Sequence, residues 1–424
     1  MSFLIHKFQY RNYADNINLL LVFLIGISAT LTGIGISRFA FSALMPELIM
    51  QQWFTASQVA YLSSTNLFGY LVGGIFCLNN KLLPSNFTTL LYASLIVYFS
   101  YMACVDSQNF FFFLFWRFLA GMSGVQLMIL APPIITNHLP ESKKKIASPI
   151  IFSGVGIGIL LSAVIIPALA KVNLHLAILV TGVIALFPVV FILLMRLNLR
   201  CITSSYRATI PQNNIATQSK FQFNGTVYLI FIAYFTDAIC FIPHTIFWVD
   251  YLSRYLNFNS QFITWQWGIL GFGAILGPYL VIQMAKKLSW TKIIKTILSI
   301  KGLAISIPYF TSDLISITIS SFVVGSLITG VVATTSSLLR EYDADNIRKS
   351  WALATLGFSL FQALSGYLFS YLYVNIGDPK NIFIFAAIGL ITVAMLLILF
   401  MREEKKTALF SRYGHTTGNA IKKP

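Results

Sequence analysis

Twelve stretches of mostly apolar residues run along this chain, at about 18–45, 58–79, 87–105, 110–136, 147–170, 174–195, 226–251, 262–285, 292–310, 314–338, 351–374 and 382–401. Crossing the roughly 30 Å hydrocarbon core of a bilayer takes about 20 such residues in a helix. A chain so divided is expected to span a membrane twelve times. Several stretches are rich in Gly and Pro, which spanning helices tolerate when neighbours re-satisfy the backbone. Composition agrees: 57% of residues are hydrophobic and only 10% charged, against about a quarter charged in a soluble domain. The first stretch follows Lys7 and Arg11. It is too long for a signal peptide's apolar region and is followed by no small-residue cleavage site, so it is expected to remain as a helix.

The net charge of +16 would suit a nucleic-acid partner, but the placement of the basic residues argues otherwise. With the amino terminus in the cytoplasm, 23 of the 29 Lys and Arg residues fall on that side. Lys171, Arg254 and Lys380 fall outside, and Arg38, Arg117 and Lys301 lie within spans. This is the positive-inside pattern, with cytoplasmic basic groups facing anionic headgroups. It predicts cytoplasmic termini, membrane lipid as a partner and no nucleic acid.

The longest polar connection, 196–225, divides the chain into a tail 1–17, a six-helix bundle 18–195, the cytoplasmic loop, a second bundle 226–401 and a tail 402–424. An offset of 204 residues brings Gly325 onto Gly121 and Arg348-Lys349 beside Lys143–Lys145. The fold class expected is therefore an all-α polytopic protein of two pseudo-symmetric six-helix bundles, the arrangement of transporters built from repeats.

The seventh span carries Asp237 about eleven residues from Thr226, roughly 16 Å along the helix and close to the midplane. A charge there is costly and calls for a cavity or a partner. Tyr234, Asp237, Phe241, His244, Trp248 and Tyr251 share one helix face, a stripe suited to a substrate path or to a packing seam. Burial favours the protonated form of a carboxyl and a nearby cation the ionised form, so such a proton can be exchanged against substrate or conformation. Asp237 is expected to carry a coupling proton, with His244 as relay or substrate contact and Tyr234 and Trp248 as cavity walls. Beside Pro243, His244 could equally bond a freed carbonyl.

Arg38 and Arg117, in the outer parts of the first and fourth spans, are read as contacts for an anionic substrate group or as a gating pair. Outward snorkelling of Arg38 and pairing of Arg117 with a buried acceptor are the simpler alternatives. Asn66, Gln126, Gln266 and Gln362 are mid-span amides able to touch substrate or to bond structurally. Lys301, near the middle of a short ninth span, is expected to snorkel toward the cytoplasm and receives no role. Gly69-x-x-x-Gly73, Gly154-x-x-x-Gly158, Gly273-x-x-x-Gly277 and Ser321-x-x-x-Gly325 mark closely packed helices. Cys77, Cys104, Cys201 and Cys240 have no metal or redox spacing. No metalloprotease, serine-hydrolase or nucleotide-loop pattern is present, so no cofactor, metal or catalytic activity is expected, and energy should come from a gradient.

Gly35-x-x-Arg38-Phe39-Ala40-Phe41 with Leu44-x-Pro46, the run Asn66 to Gly73, Trp116-Arg117-Phe118-Leu119-Ala120-Gly121, and Tyr234-Phe-Thr-Asp237-Ala238 through Pro243-His244-Thr245 to Tyr251 resemble the major facilitator superfamily. Within it they are most similar to the bacterial YbfB/YjiJ-like group. The resemblance covers nearly the whole chain and implies alternating access in a bacterial inner membrane. Two departures stand out. The loop Leu78 to Pro84 lacks the superfamily's acidic gating residue, and Ile159 replaces a proline in Gly154-x-x-x-Gly158 with Ser162-Ala163, a segment otherwise similar to an antiporter motif. That segment leans the reading toward export or exchange.

The expectation is a monomeric secondary transporter, proton-coupled through Asp237, moving a small organic solute, with the two arginines tilting toward an organic anion. The rivals are an uncoupled facilitator with a structural Asp237, an intramembrane enzyme, and a non-transporting membrane scaffold.

Overall fold

A computed structural model describes residues 19–78, 86–106, 109–202, 225–343, 347–375 and 378–401. The tails 1–17 and 402–424 and most of the loop 196–225 lie outside the described residues. Among those described, all regular structure is helical, and twelve helices are long and apolar enough to cross a membrane. They are α1 Leu19–Met50, α2 Ser57–Cys77, α3 Phe87–Cys104, α4 Phe110–Asn137, α5 Ile150–Ala170 and α6 Leu174–Leu197. The second set is α7 Gly225–Tyr255, α8 Ser260–Ala285, α9 Trp290–Phe310, α10 Leu314–Tyr342, α11 Lys349–Tyr373 and α12 Asn381–Phe400.

Local sequence fixes where many of these helices begin. Asn86, Asn109, Asn173, Asn259, Ser289 and Asp313 each accept a backbone N–H bond from the first turn that follows, satisfying donors that a helix start leaves free. The main differences from the sequence boundaries are in α1 and α7. α1 continues through Pro46 to Met50, beyond the expected end at 45. It contains a π-helical stretch, Leu31–Ala40, and α7 contains two, Pro243–Phe247 and Tyr251–Tyr255. A hydropathy pattern does not report this widening of the helical turn, which is common at functional sites.

The two halves are built on one plan, with α2 against α4 and α3 against α6 in the first, α8 against α10 and α9 against α12 in the second. The offset of 204 residues holds residue by residue in the glycine seams. A Cβ on Gly69 would collide with the Phe118 carbonyl, one on Gly73 with that of Met122, and one on Gly121 with that of Asn66. In the second half Gly273 meets Phe322, Gly277 meets Ser326 and Gly325 meets Leu270 in the same way, each position 204 beyond its counterpart. Backbone thus touches backbone at matching places, as small residues permit in lipid, where van der Waals packing replaces the hydrophobic drive between helices.

The halves meet along α5 with α8 and α2 with α11. Gly156 lies against the backbone of Ala274 and Ile275, and Gly271 against Leu160. The Trp267 indole donates to Ser162 Oγ at 3.3 Å. Ser42 of α1 donates to the Thr245 carbonyl of α7 at 3.1 Å. Toward the other end of the bundle, Phe152 of α5 packs on Trp351 of α11, ring centroids 6.4 Å apart.

Candidate functional site

Between these two closures lies a cavity with about 40 Å³ open to water, room for a few molecules at roughly 10–15 Å³ each. Arg38 of α1 and Tyr70 of α2 line it from one half, and Asp237 and Phe241 of α7 with Phe358 and Gln362 of α11 from the other. The remaining wall comes from α1, α4, α5 and α10 and is apolar apart from Thr329.

The π-helical stretch of α1 presents Arg38 to this cavity. Its guanidinium carbon lies 5.1 Å from the ring centroids of both Phe39 and Phe241, within cation–π range. Its Nη2 is buried and has no hydrogen-bond partner, so the side chain points inward rather than snorkelling out. Gln362, 1% exposed, likewise has an unbonded Nε2.

Lys301 is the clear correction. It is fully buried, and its Nζ donates to Asp237 Oδ1 at 2.6 Å. It lies near the middle of α9 as its sequence position implies, but hydropathy does not give the direction a residue faces around its helix. α9 packs against α10 and α12, and Lys301 faces the interior of its half, where a buried ammonium requires a partner. It also lies 5.4 Å from the Phe241 centroid, so that one ring adjoins both cations.

Other expected residues are distributed unevenly. Tyr234 is buried, with its ring 4.5 Å from that of Phe358 and its hydroxyl unbonded. His244 and Trp248 sit deeper in the second half, away from the cavity wall. The His244 ring stacks on Trp248, Nε2 is 2.8 Å from Ser320 Oγ, and the Trp248 indole donates to Ser321 Oγ at 3.0 Å. Nδ1 of His244 is buried without a partner. Arg117 belongs to the interior of the first half: it donates to the Ser37 carbonyl at 2.8 Å, lies 4.1 Å from the Phe41 centroid and interacts with the Tyr101 hydroxyl. Asn66 donates to the Arg117 carbonyl at 3.1 Å. Gln126 is buried in α4, and Gln266 donates to Thr318 at 2.8 Å. Asp237, Arg38 and Gln362 therefore share one cavity, which Arg117, Asn66 and Gln126 do not line.

A family model described as the uncharacterised MFS-type transporter YbfB matches residues 30–399. The chain belongs to this family. It is accordingly a multi-pass membrane protein and a transporter of the MFS type, a class that acts on small molecules from within the lipid bilayer. No curated protein matches the chain. In this YbfB-type protein the cavity wall also includes Tyr70 and Phe358, which the sequence reading did not single out. Tyr70 falls within the Asn66 to Gly73 run, whereas Phe358 carries no signal that separates it from the 37 phenylalanines of the chain.

Proposed function

We propose that this protein is a proton-coupled secondary transporter that moves a small organic solute through the cavity between its halves, with Asp237 carrying the proton. The observation behind this reading is that Asp237 lines the central cavity while its carboxylate is bonded to Lys301, buried in the same half. Ionised, Asp237 cancels the Lys301 charge. Taking up a proton leaves the ammonium uncompensated in a low-dielectric interior, which is strongly unfavourable, so protonation favours a rearranged, better hydrated state. Protonation is thereby linked to which arrangement of the halves is stable, as alternating access requires.

His244, in the same half as the pair, stacked on Trp248 and hydrogen-bonded to Ser320, is the candidate relay. The domain arrangement proposed is two moving bundles, 18–195 and 226–401, joined by a cytoplasmic loop. The protein works as a monomer in a bacterial inner membrane with both termini cytoplasmic, and exchange or export is the favoured direction. It acts as a transporter and not as an enzyme.

A metabolite screen of cells with and without the protein identifies the solute, followed by flux in proteoliposomes under an imposed pH gradient. Wild type should accumulate solute; Asp237→Asn should keep counterflow and lose accumulation. Equal pH-driven accumulation in the variant would refute the coupling. It would favour the uncoupled facilitator, in which the completed Asp237–Lys301 pair is structural only.

A further inference from the structure

We propose that the central cavity binds an organic monocarboxylate with an apolar body, its carboxylate held by Arg38 from one half and Gln362 from the other. This names the substrate class of the site proposed above; it rests on transport through the central cavity and not on the proton.

The argument begins with charge. Among the described residues three charged groups adjoin the cavity: Arg38, Asp237 and Lys301. Asp237 and Lys301 cancel one another at 2.6 Å, so the remaining fixed charge is that of Arg38, which makes no ion pair among the described residues. Arginine keeps its charge in proteins and only donates. A buried guanidinium nitrogen to which the described protein offers no acceptor is therefore suited to an anion. One negative charge completes the balance; a dianion would exceed it, and a cation would add to the surplus.

Geometry narrows the class. Arg38 Nη2 and Gln362 Nε2 are both buried and unbonded, and both residues line the cavity. Two N–H donors lining one cavity, one from each half, suit the two oxygens of a carboxylate, for which guanidinium is the favoured partner. The rest of the wall offers Phe39, Phe152, Phe241 and Phe358 with aliphatic side chains, and its hydroxyls, on Tyr70 and Thr329, already donate to Met128 and to the Ala274 carbonyl, which suits an apolar body and offers little to a sugar or polyol. Because the donors belong to α1 and α11, one bound carboxylate ties the halves together. The small volume of the present closed arrangement fits a site that widens when the halves part.

The test uses the purified full-length protein in detergent, with thermal unfolding followed against concentration of benzoate and isobutyrate. Benzamide, benzylamine and phthalate serve as the neutral, cationic and dianionic comparisons. Either monocarboxylate should raise the unfolding temperature and the three comparisons should not. Arg38→Gln should weaken benzoate binding by at least about tenfold, the scale of one charge-assisted hydrogen bond. Gln362→Glu places a carboxylate of the protein opposite Arg38; it should fold at least as well as wild type and no longer respond to benzoate, so it carries the test even if Arg38→Gln fails to fold. The proposal is overturned if neither monocarboxylate stabilises the protein, if benzamide or benzylamine does so equally, or if either variant responds like wild type. Binding is read at one pH without a gradient. A protein that binds benzoate yet shows no pH-driven accumulation of solute therefore sinks the proton coupling and leaves the carboxylate site standing, and the converse result does the reverse.

Discussion

Replacing Lys301 by Met removes one charge of a buried pair and keeps most of the side-chain volume. At 2.6 Å and an effective dielectric constant of about 20, the two charges attract by about 6 kcal/mol, a gain that desolvation of both groups largely offsets. Removing one partner leaves the other's desolvation uncompensated and costs about 3–5 kcal/mol. Lys301 and Asp237 are 0% and 2% exposed, so water gives little relief to whichever is stranded. Asp237→Asn should cost a similar amount. The double variant, with no charge left to bury, should return to within about 1–2 kcal/mol of wild type. The coupling energy of the cycle should then exceed about 3 kcal/mol, more than a hundredfold in the folding equilibrium. Unfolding of the purified protein in micelles of increasing dodecyl sulfate fraction, followed by tryptophan fluorescence, measures all four proteins. Single-variant losses below about 1 kcal/mol, or a double variant as unstable as the sum of the singles, would refute the view that the two groups depend on one another for burial.

Two further outcomes follow from local geometry. Gly121→Val and Gly325→Val should each cost about 3 kcal/mol or more, since a new side chain would meet a backbone carbonyl of the neighbouring helix that cannot turn aside. Gly225→Ala, with nothing within 4 Å, should change stability by less than about 0.5 kcal/mol in the same unfolding assay. At the start of α10, N–H donors of the first turn hold the Asp313 carboxyl below its ordinary value of 3.8. Its contribution is present above that value and lost as pH falls through the lower folded one. Asp313→Asn caps without titrating, so the difference in unfolding temperature between the two proteins should disappear at acid pH and be constant above the carboxylate range.

The number and placement of the spans were legible because a bilayer imposes a length and a polarity on every crossing, and polar or charged residues interrupt the apolar runs between crossings. Asp237 was legible for the same reason: a lone acid at midplane depth is conspicuous. Arg38 and Gln362 could be proposed by depth, but so could Arg117, Asn66 and Gln126, which the structure sends elsewhere. Depth along a helix is one coordinate, and membership of a cavity also requires the angle around the helix and the neighbour it faces. In α1 and α7 that angle is changed by π-helical turns, which no apolar periodicity announces. Lys301 shows the cost most plainly, since the same depth fits a side chain reaching for the interface or one buried against a carboxylate 64 residues earlier in the chain.

The matched glycine seams also show where the two halves differ. A register of 204 residues reproduces which backbone touches which carbonyl, so a position where the contact is lost stands out. In the first half a Cβ on Gly33 would press on the Gly124 carbonyl oxygen, at 2.6 Å, so α1 and α4 are sealed at that point. The same register carries those two positions to Asp237 and Ile328, both of which line the cavity, and it carries Val97 to Lys301. One half has a closed joint where the other has a carboxylate, its ammonium partner and open space, so a near-symmetric frame carries an ion pair in one half and faces it with Arg38 from the other.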